Sequence, residues 1–474
     1  MATVSHTATD VLAALTAHTW KPQPESARLV HRLLNECLEH CPFAARLSHR
    51  MLEETGTRML DWIDHFGLPF NDPTVAQLET VGYSKVDPIH GDTVWTHKAG
   101  LFPRVRQLQT ASRQLAIKVD SVADFLFAHS LTDVRIDGEP FSPLRTACVC
   151  RGNGVEFLVV ERHGSLDFTP GDVIPSPTKS GTSFPVAVLH HFEKLLLRRR
   201  HFDNDAEGFA LANHLIDAAI ADLGRDRACD LFFTAERLYW QRRNRAGRIQ
   251  YERQASLGLG WANHDHHTYR SSRESFVSLI AFLEKLGFRC RERFYAGREA
   301  GWGAQVIEHP VTGVTIFADV DMSPEEVTED FSHQPMVPRA ELGTVGLWCA
   351  LHGEAFLQAG LHHLECQFDF AATRDQLKLA GIDTMQPFTD FSYLRQAFTR
   401  GERWTVDPDR VERLRSAGRI TDEQATKFLT QGALGSHLEI LQRDDGYKGF
   451  NQHGISEIIS ATDPRRAQAE AARE

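Results

Sequence analysis

The order of predicted elements between His264 and Val320 constrains the fold more than any other feature of the chain. The segment begins with a strand candidate (HDHHTYR), continues with a helix, and ends with three strand candidates (FRCRERFYA, GAQVIEH and GVTIFADV). The helix is predicted from an apolar face at 3.6-residue spacing, formed by Phe276, Leu279, Ile280, Phe282 and Leu283. A strand, a helix and three strands predict one α+β unit.

A second unit with the same start is predicted from Gly360 onward. It opens with GLHHLECQFDF, continues through the helical ATRDQLKLAGI, and closes with the strand candidate SHLEILQR. An inserted helical stretch, VERLRSAGRITDEQATKFL, precedes the closing strand. The chain is therefore predicted to be an α+β protein with a repeated unit in its C-terminal half.

The length of 474 residues favours two or three domains over one compact core. A stretch rich in Pro and Ser at 168–185 is the best boundary, and it predicts an N-terminal α+β domain at 1–185 and a second domain at 186–474. The second domain would open with a helical lead-in at 186–250. Part of the first domain, 90–165, is interpreted as a degenerate copy of the unit with a structural or dimerising role, which allows a homodimer.

His97 and Glu161 are the candidate remnants of a site in this degenerate copy. No second histidine falls at a convincing place beside them. We therefore do not expect a working site in the N-terminal domain.

The charge balance argues against a nucleic-acid surface. The formal net charge is -11 and the sequence pI is near 6.1, whereas phosphate binding relies on clustered Lys and Arg. The one dense basic run, RRRH from Arg198 to His201, is interpreted as the solvated end of a helix.

Several features favour a cytoplasmic protein that binds no membrane. The first ten residues, MATVSHTATD, lack a charged region followed by an apolar one, so no export signal is expected. No apolar run approaches the roughly 20 residues that a membrane span requires. The eight cysteines show no CxxC spacing, which favours reduced thiols.

Three side chains in the repeated units are candidate metal ligands: His266, His363 and Glu439. Two imidazoles and one carboxylate suit a mononuclear non-haem iron(II) site, because three ligands on one face leave positions open. In the strand candidate HLEILQR, Glu439 shares a face with His437. A carboxylate buried in so apolar a strand needs a cation; the alternative is an edge strand with Glu439 in water.

The histidine pairs leave the register open. His266 competes with His264 and His267: if the first strand alternates, His264 and His266 face together and His267 faces away, so only one register works. His363 is favoured over His362 because it precedes the alternating LECQF.

Asp319 and Asp321 (FADVD) are further candidates, and they would share one face of a strand. The acidic, Pro-containing stretch DMSPEEVTED overlaps and follows them. A solvated strand end is therefore expected for both.

Four segments resemble the 2-oxoadipate dioxygenase/decarboxylase family. HHTYRSSRESFVSLIAFLEKLGF is similar to its first metal-binding segment, in which an arginine follows the histidine by four residues, as Arg270 follows His266. GLHHLECQF resembles the second ligand segment and implies His363. YLRQAF resembles a pocket-lining segment and implies Gln396. SHLEILQR resembles the glutamate segment, also found at the metal end of 4-hydroxyphenylpyruvate dioxygenases, and implies Glu439.

The resemblance covers roughly residues 186–460 and does not extend to the first 185. It implies βαβββ modules of the vicinal oxygen chelate superfamily that form a half-open barrel around Fe(II). The implied reaction is decarboxylation of a 2-oxo acid such as 2-oxoadipate to a 2-hydroxy acid, with O2 consumed and CO2 released.

The resemblance also implies roles for two side chains near the metal. Arg270 would clamp a distal carboxylate of the substrate through its planar guanidinium; the alternative is a surface ion pair with Glu274. Gln396 would donate to a carboxylate or keto oxygen.

Two other functions fit the same residues. One is a metal-dependent isomerase or lyase of the same superfamily, which would use Mn, Ni or Zn and consume no O2. The other is a non-catalytic protein that binds a small ligand.

Overall fold

A computed structural model of the chain describes residues 20–89, 92–170, 178–451 and 463–465. Two large β-sheets organise these residues, one N-terminal and one C-terminal. Residues 171–177, inside the predicted boundary at 168–185, lie outside the described part. The domain boundary stays a prediction.

The elements of the described residues are numbered here in chain order. The α-helices are α1 (Pro24–His40), α2 (Pro42–Arg50), α3 (Val75–Leu78), α4 (Val122–Ala128), α5 (Phe184–Leu196), α6 (Asp205–Leu223), α7 (Arg225–Arg242), α8 (Arg245–Ser256), α9 (Phe276–Lys285), α10 (Thr344–His352), α11 (Phe370–Leu379), α12 (Pro408–Ser416) and α13 (Asp422–Gln431). The strands are β1 (Ile63–Pro69), β2 (Tyr83–Ile89), β3 (Asp92–His97), β4 (Arg104–Leu108), β5 (Arg113–Lys118), β6 (Leu144–Gly152), β7 (Val155–Arg162), β8 (His264–Arg270), β9 (Arg289–Tyr295), β10 (Trp302–Glu308), β11 (Thr315–Asp321), β12 (His363–Gln367), β13 (Thr389–Phe391), β14 (Leu394–Phe398), β15 (Arg403–Trp404), β16 (Ala433–Leu434) and β17 (His437–Arg443).

The C-terminal sheet consists of two βαβββ units joined edge to edge. Its strand order is β13-β14-β17-β12-β8-β11-β10-β9. In the first unit, β8 is parallel to β11, and in the second β12 is parallel to β17. The two units meet where β8 pairs antiparallel with β12. This topology confirms the predicted α+β fold of vicinal oxygen chelate modules, with the inserted helices α12 and α13 placed before β17.

The predicted apolar face of α9 holds the first unit together. All five of its predicted core residues are buried. Phe282 packs against Phe232 of α7, with ring centroids 5.2 Å apart. The helical lead-in thus covers the outer side of the C-terminal sheet.

The N-terminal sheet repeats this pairing pattern with one strand fewer. Its order is β2-β3-β4-β1-β5-β7-β6. The strand β1 is parallel to β4, β5 is parallel to β7, and β1 meets β5 antiparallel. The sheet extends from Ile63 to Arg162, so it includes two strands, β1 and β2, before the 90–165 range.

The strand β1 replaces part of a predicted helix. The run HRMLEETGTRMLDWIDHF is interpreted from its sequence as continuous helix, but the helical structure breaks at Gly56, which has a φ of 65°. A left-handed residue ends a helix because it turns the chain away from the helix axis. The following residues are free to join the sheet as Ile63–Pro69.

The basic run is also placed differently from its prediction. Arg198 and Arg200 are buried, and both pair with the buried carboxylate of Glu236 on α7. The interpretation as a solvated helix end is therefore wrong. The acid that pairs with the run lies far away in sequence, so the local pattern could not reveal it.

Among the described residues, every helix is too short or too polar to cross a membrane.

Candidate metal centre

Three neighbouring strands in the middle of the C-terminal sheet carry the candidate ligands. The order β17-β12-β8 places the first strand of each unit, β8 and β12, beside each other, with the last strand of the second unit, β17, next to β12. Glu365 of β12 lies opposite His266 of β8 on one side and opposite Glu439 of β17 on the other. These three side chains form one row across the sheet. Because cross-strand partners point to the same face, the row projects into a single concave surface.

A second row of side chains lies two residues along each of these strands. His363 of β12 is opposite Thr268 of β8 and His437 of β17. Residues two apart in a strand share a face, so this row projects beside the first. The structure therefore brings the predicted ligands His266, His363 and Glu439 together, with Glu365 and His437 as additional neighbours.

The contacts within the two rows are short. His363 Nε2 lies 2.9 Å from Glu439 Oε2 and 2.8 Å from Thr268 Oγ1. His266 Nδ1 lies 2.5 Å from Glu365 Oε2 and 3.2 Å from Asp265 Oδ1. Because Nδ1 of the His266 ring faces these carboxylates, Nε2 is the ring atom that would bind a metal ion.

Burial determines the charge state of the cluster. It holds the pKa of His363 well below its usual value, and the nearby His266 and Arg270 lower it further. The His363 ring is therefore neutral, which is the form that binds metal ions. Burial raises the pKa of Glu439 to about 7 and that of Glu365 well above its usual value. Two buried carboxyl groups side by side are unfavourable without a cation.

The cluster fits a divalent metal ion by its chemistry and its spacing. The candidate ligand atoms of His266, His363 and Glu439 lie within 4.8 Å of one another. Atoms about 2.1 Å from one ion lie up to about 4.2 Å apart, so the three are near the required spacing. The Nδ1 atom of His363 is buried without a hydrogen-bond partner in the described residues. A cation would also offset the paired carboxylates.

Arg270 lies on the same face of β8, four residues beyond His266. It is 2% exposed, and its acidic neighbours in the described residues include Asp319 and Asp321 but not Glu274, so the alternative of a surface ion pair with Glu274 is wrong. Its Nε and Nη1 atoms have no hydrogen-bond partner in this part of the chain, and its guanidinium lies 5.7 Å from the Trp348 ring. A buried guanidinium with unused donors can bind an anion.

Gln396 of β14 lies above the two carboxylates. Its Nε2 is 3.2 Å from Glu365 Oε1 and 3.2 Å from Glu439 Oε1. Its Oε1 is buried without a partner among the described residues. The amide donors are thus directed at the acids, whereas the sequence predicts that they face a substrate.

An aromatic cavity of about 60 Å³ opens above the ligands. Besides the ligands themselves it is lined by six large aromatic side chains: Phe294, Trp302, Phe317, Phe388, Phe398 and Phe450. Such walls lower the local dielectric and strengthen every polar contact inside. Asp319 also lines the cavity.

The histidine register differs in part from simple alternation. A bulge between β12 and β8 interrupts the pairing at His264. The His264 ring lies 5.2 Å from that of His267, and both belong to the side that faces α7. The expectation that His264 shares a face with His266 is therefore wrong, because a bulge reverses the alternation.

Asp319 and Asp321 are buried, at 2% and 3% exposure, so the prediction of a solvated strand end is wrong. The N-terminus of α10 explains Asp321. Its two carboxylate oxygens accept hydrogen bonds from the backbone N–H groups of Val345 and Gly346.

The candidate remnants His97 and Glu161 lie apart in the N-terminal sheet. His97 contacts Ser26, whereas Glu161 pairs with Arg145 and His163. Neither belongs to a group of metal-ligand side chains within the described residues.

Sequence reasoning missed Glu365 as a member of the cluster. A signal was present, since Glu365 follows His363 by two residues in a strand and must share its face. Its contact with His266 depends on the pairing of β12 with β8, which a local pattern does not contain.

Solved structures are similar to this chain at 11–14% sequence identity. No protein-family model matches the chain, and no curated protein is similar to it. A solved structure from Ralstonia eutropha, described as a glyoxalase superfamily protein, shares 14% identity, covers 54% of this chain and 94% of its own, and has a TM-score of 0.31. A variant of 4-hydroxymandelate synthase from Streptomyces coelicolor shares 14% identity over 86% of this chain and 99% of its own, with a TM-score of 0.28. Methylmalonyl-CoA epimerase from Mycobacterium tuberculosis shares 11% identity over 38% and 88%, with a TM-score of 0.22.

All three TM-scores lie below 0.5, so the fold is assigned from the strand order of this chain and not from these structures. The fold is assigned from three strand pairings. The strand β8 pairs with β11 and with β12, and β12 pairs with β17. On that topology, the chain has the α+β fold of vicinal oxygen chelate modules, with a histidine and carboxylate cluster where its two C-terminal units meet.

Proposed function

We propose that this protein is an Fe(II)-dependent dioxygenase that decarboxylates a 2-oxo acid. The overall reaction converts the 2-oxo acid and O2 into CO2 and a 2-hydroxy acid one carbon shorter, and 2-oxoadipate is the first candidate substrate. The observation that supports the proposal is the convergence of His266, His363 and Glu439 on one face of the sheet. The same face carries Arg270, a buried guanidinium whose Nε and Nη1 have no hydrogen-bond partner among the described residues.

Each ligand is supplied by a different strand. His266, His363 and Glu439 would hold the metal from β8, β12 and β17. When bound, iron(II) would supply the one-electron chemistry with O2 that amino-acid side chains lack. Two imidazoles and one carboxylate leave positions for the substrate, in keeping with this metal.

Arg270 would bind the carboxylate far from the reacting end of the substrate. At about 3.3 Å per residue, its Cα lies roughly 13 Å along the strand from that of His266, and the long side chain spans part of this distance. A dicarboxylic 2-oxo acid could therefore reach both the metal and the guanidinium. A bidentate contact would fix its orientation.

The aromatic walls would exclude water from the reacting end. Phe317 lies 4.6 Å from the His266 ring and Phe398 lies 5.6 Å from the His363 ring, measured between centroids. Removing water strengthens the contacts to Arg270 and limits side reactions.

The proposal is tested by metal content and oxygen uptake. Protein purified without oxygen and loaded with iron(II) is supplied with a panel of 2-oxo acids that includes 2-oxoadipate. We expect equimolar O2 uptake and CO2 release with at least one of them. The His266→Ala protein should lose both iron and turnover.

A histidine outside the candidate metal centre provides a matched control for His266→Ala. His333 is 46% exposed by side chain and lies with Glu284 and Cys290 in another three-residue group. His333→Ala should keep the iron stoichiometry and turnover of the original protein. Iron bound without any O2 uptake across the panel would contradict the proposed reaction.

A second candidate is favoured by an overlapping set of imidazoles. His362, His363 and His437 also place ligand atoms within 4.8 Å of one another. An all-imidazole set suits Zn or Ni as well as iron. A bound metal other than iron, with isomerase or lyase turnover and no O2 uptake, would support a metal-dependent isomerase or lyase; ligand binding without turnover would support a binding protein.

A further inference from the structure

A second cavity, of about 230 Å³, lies between the two sheets. Its walls come from the ends of β5 and β7, from α7 and α8, from the start of β8, and from the turn between β10 and β11. Within the described residues, it shares no lining residue with the aromatic cavity above the metal ligands. It is therefore a separate space on the other side of β8.

Two cationic side chains in this cavity, Lys118 and Arg237, form no hydrogen bond or ion pair with a carboxylate among the described residues, although Asp120 and Asp230 lie near them. Arg237 is 9% exposed and makes two polar contacts, with Thr234 Oγ1 at 3.2 Å and with His267 Nε2 at 3.4 Å. Lys118 makes no hydrogen bond or ion pair in the described part of the chain, and burial lowers its pKa. By contrast, the neighbouring Arg162 is paired with Asp64 at 2.6 Å.

Two uncharged donors lie beside these cations. The Nδ1 atom of His264 is buried without a hydrogen-bond partner among the described residues. The hydroxyl of Tyr251 also makes no hydrogen bond within that part of the chain, and its side chain lines the cavity. Buried polar groups are normally hydrogen-bonded, so the His264 Nδ1 atom, buried in the cavity wall without a partner in the described residues, indicates a missing partner.

The acids of the cavity are already engaged. Asp230 accepts hydrogen bonds from His163 Nδ1 at 3.0 Å and Arg227 Nη1 at 3.2 Å. Asp120 accepts the backbone N–H of Trp261 at 2.7 Å, and burial raises its pKa. Three cations, Lys118, Arg162 and Arg237, line the cavity against two acids, Asp120 and Asp230. These acids attract Lys118 and Arg237 but form no hydrogen bond with either in the described part of the chain.

The shape and walls of the cavity favour an organic ligand. Phe233, Leu238, Val311 and Val314 contribute apolar surface. A carboxylate that carries a short hydrocarbon chain would use both the donors and this surface, whereas an inorganic anion would use only the donors.

A larger cavity of about 470 Å³ adjoins the inner one. The two share Lys118, Arg162, Val311 and Thr312. Lys118 therefore lies where the two cavities meet, and the larger cavity provides a route of entry.

We propose that the cavity between the sheets is a second binding site, for a small organic carboxylate. Lys118 and Arg237 bind the carboxylate oxygens, and Tyr251 and His264 donate the remaining hydrogen bonds. The site does not depend on the metal or on the proposed reaction. It lies behind the strand that carries His266, since Arg237 contacts the adjacent His267.

The test uses glutarate as the probe and calorimetric titration at low ionic strength. Metal-free Arg270→Gln protein removes the other proposed carboxylate contact, so binding there reports the second site alone. We expect one bound glutarate per chain in this background. Adding Lys118→Met or Arg237→Met should weaken it at least tenfold, whereas Lys378→Met, at an exposed position on α11, should not change it.

Folding is controlled within the same series. Lys118 has no ion pair to lose and methionine keeps its hydrocarbon chain, so Lys118→Met should melt at or above the temperature of its parent. The imidazole NMR signals of His264 should shift when glutarate is added to the Arg270→Gln protein, independently of any cavity variant.

Three results would overturn the proposal. They are no glutarate binding to the Arg270→Gln protein, binding that survives both cavity substitutions, and binding of inorganic phosphate as tight as that of glutarate. Failure of the oxygenase assay would leave this site intact, because none of its measurements uses turnover.

Discussion

Arg270 and Asp319 are cross-strand partners on the parallel strands β8 and β11, both buried, yet no hydrogen bond joins them within the described residues. Burial raises the pKa of Asp319 well above its usual value, and Arg270 lowers it only in part. The guanidinium therefore keeps donors for another anion. This relationship supports the proposed carboxylate site beside the candidate metal ligands.

Replacement of Arg270 by lysine should raise KM for a dicarboxylic 2-oxo acid although the charge is kept. A charge-assisted hydrogen bond contributes about 1.5–3 kcal/mol, so the loss of the bidentate contact predicts an increase of roughly 10- to 100-fold. Steady-state kinetics with 2-oxoadipate measures this change.

A substrate without the distal carboxylate is the control for this variant. With 2-oxohexanoate, Arg270→Lys and the original protein should have similar KM values, since no clamp is available to lose. An equal defect with both substrates would indicate that Arg270 acts through the fold.

Gln396 should hold Glu439 in position for the metal. Its amide links Glu439 and Glu365 at 3.2 Å to each. Loss of a partner that orients a ligand typically reduces metal affinity about 10- to 100-fold. Gln396→Met should show this reduction in a competition with a metal chelator, without any assay of turnover.

The same variant separates positioning from substrate contact. If Gln396 acted only on the substrate, metal affinity would stay at the original value and KM alone would rise. Unchanged metal affinity would therefore contradict the positioning role.

Local pattern placed the candidate ligands on strands but did not reveal their surroundings. Alternation within HLEILQR places Glu439 on one face, and the structure keeps that face. The bulge that moves His264 depends on the pairing between β12 and β8, whose residues lie far apart in sequence. A pattern of single-strand periodicity contains no such register.

Long-range pairs of charges were equally hidden. The buried position of Arg198 follows from Glu236 on another helix, and the buried position of Asp321 follows from the N-terminus of α10. The local sequence around each residue predicts exposure to solvent. Each side chain is buried because a segment distant in sequence supplies its hydrogen-bond or ion-pair partner. Composition alone favours solvent for both.

Glu236 should be essential for stability, although it touches no proposed ligand. It binds Arg198 at 3.0 Å and accepts the hydroxyl hydrogen of Tyr269 at 2.9 Å, and Arg200 is a further partner. Removing one member of a buried ion pair typically costs about 3–5 kcal/mol, because the other charge is left uncompensated. Glu236→Gln should lower the free energy of unfolding by about this amount in urea denaturation.

Two control substitutions set the scale for the loss of unfolding free energy in Glu236→Gln. Tyr269→Phe removes one neutral donor and should cost about 1 kcal/mol. Glu412→Gln, in an exposed pair with Arg415, should leave the unfolding midpoint unchanged. A Glu236→Gln protein as stable as the Glu412→Gln protein would show that the buried cluster contributes no net stability.

Glu354 should make the protein less stable as pH rises. Burial raises its pKa to about 7, although the backbone N–H of Ser272 donates to the carboxylate at 3.0 Å. Between the unfolded value of about 4.3 and the folded value, the folded state binds more protons than the unfolded one, so stability falls as pH increases. The stabilising contribution of the neutral form is complete below pH 4 and lost above pH 7.

Glu354→Gln isolates this effect, since the amide keeps an acceptor for Ser272 and cannot ionise. The variant should be more stable than the original protein at pH 8 by about 1–3 kcal/mol, and the difference should shrink toward pH 5. Urea denaturation of both proteins at the two pH values gives the comparison. A constant difference would mean that Glu354 ionises equally in the folded and unfolded states, which would require water or a cation at this end of β8.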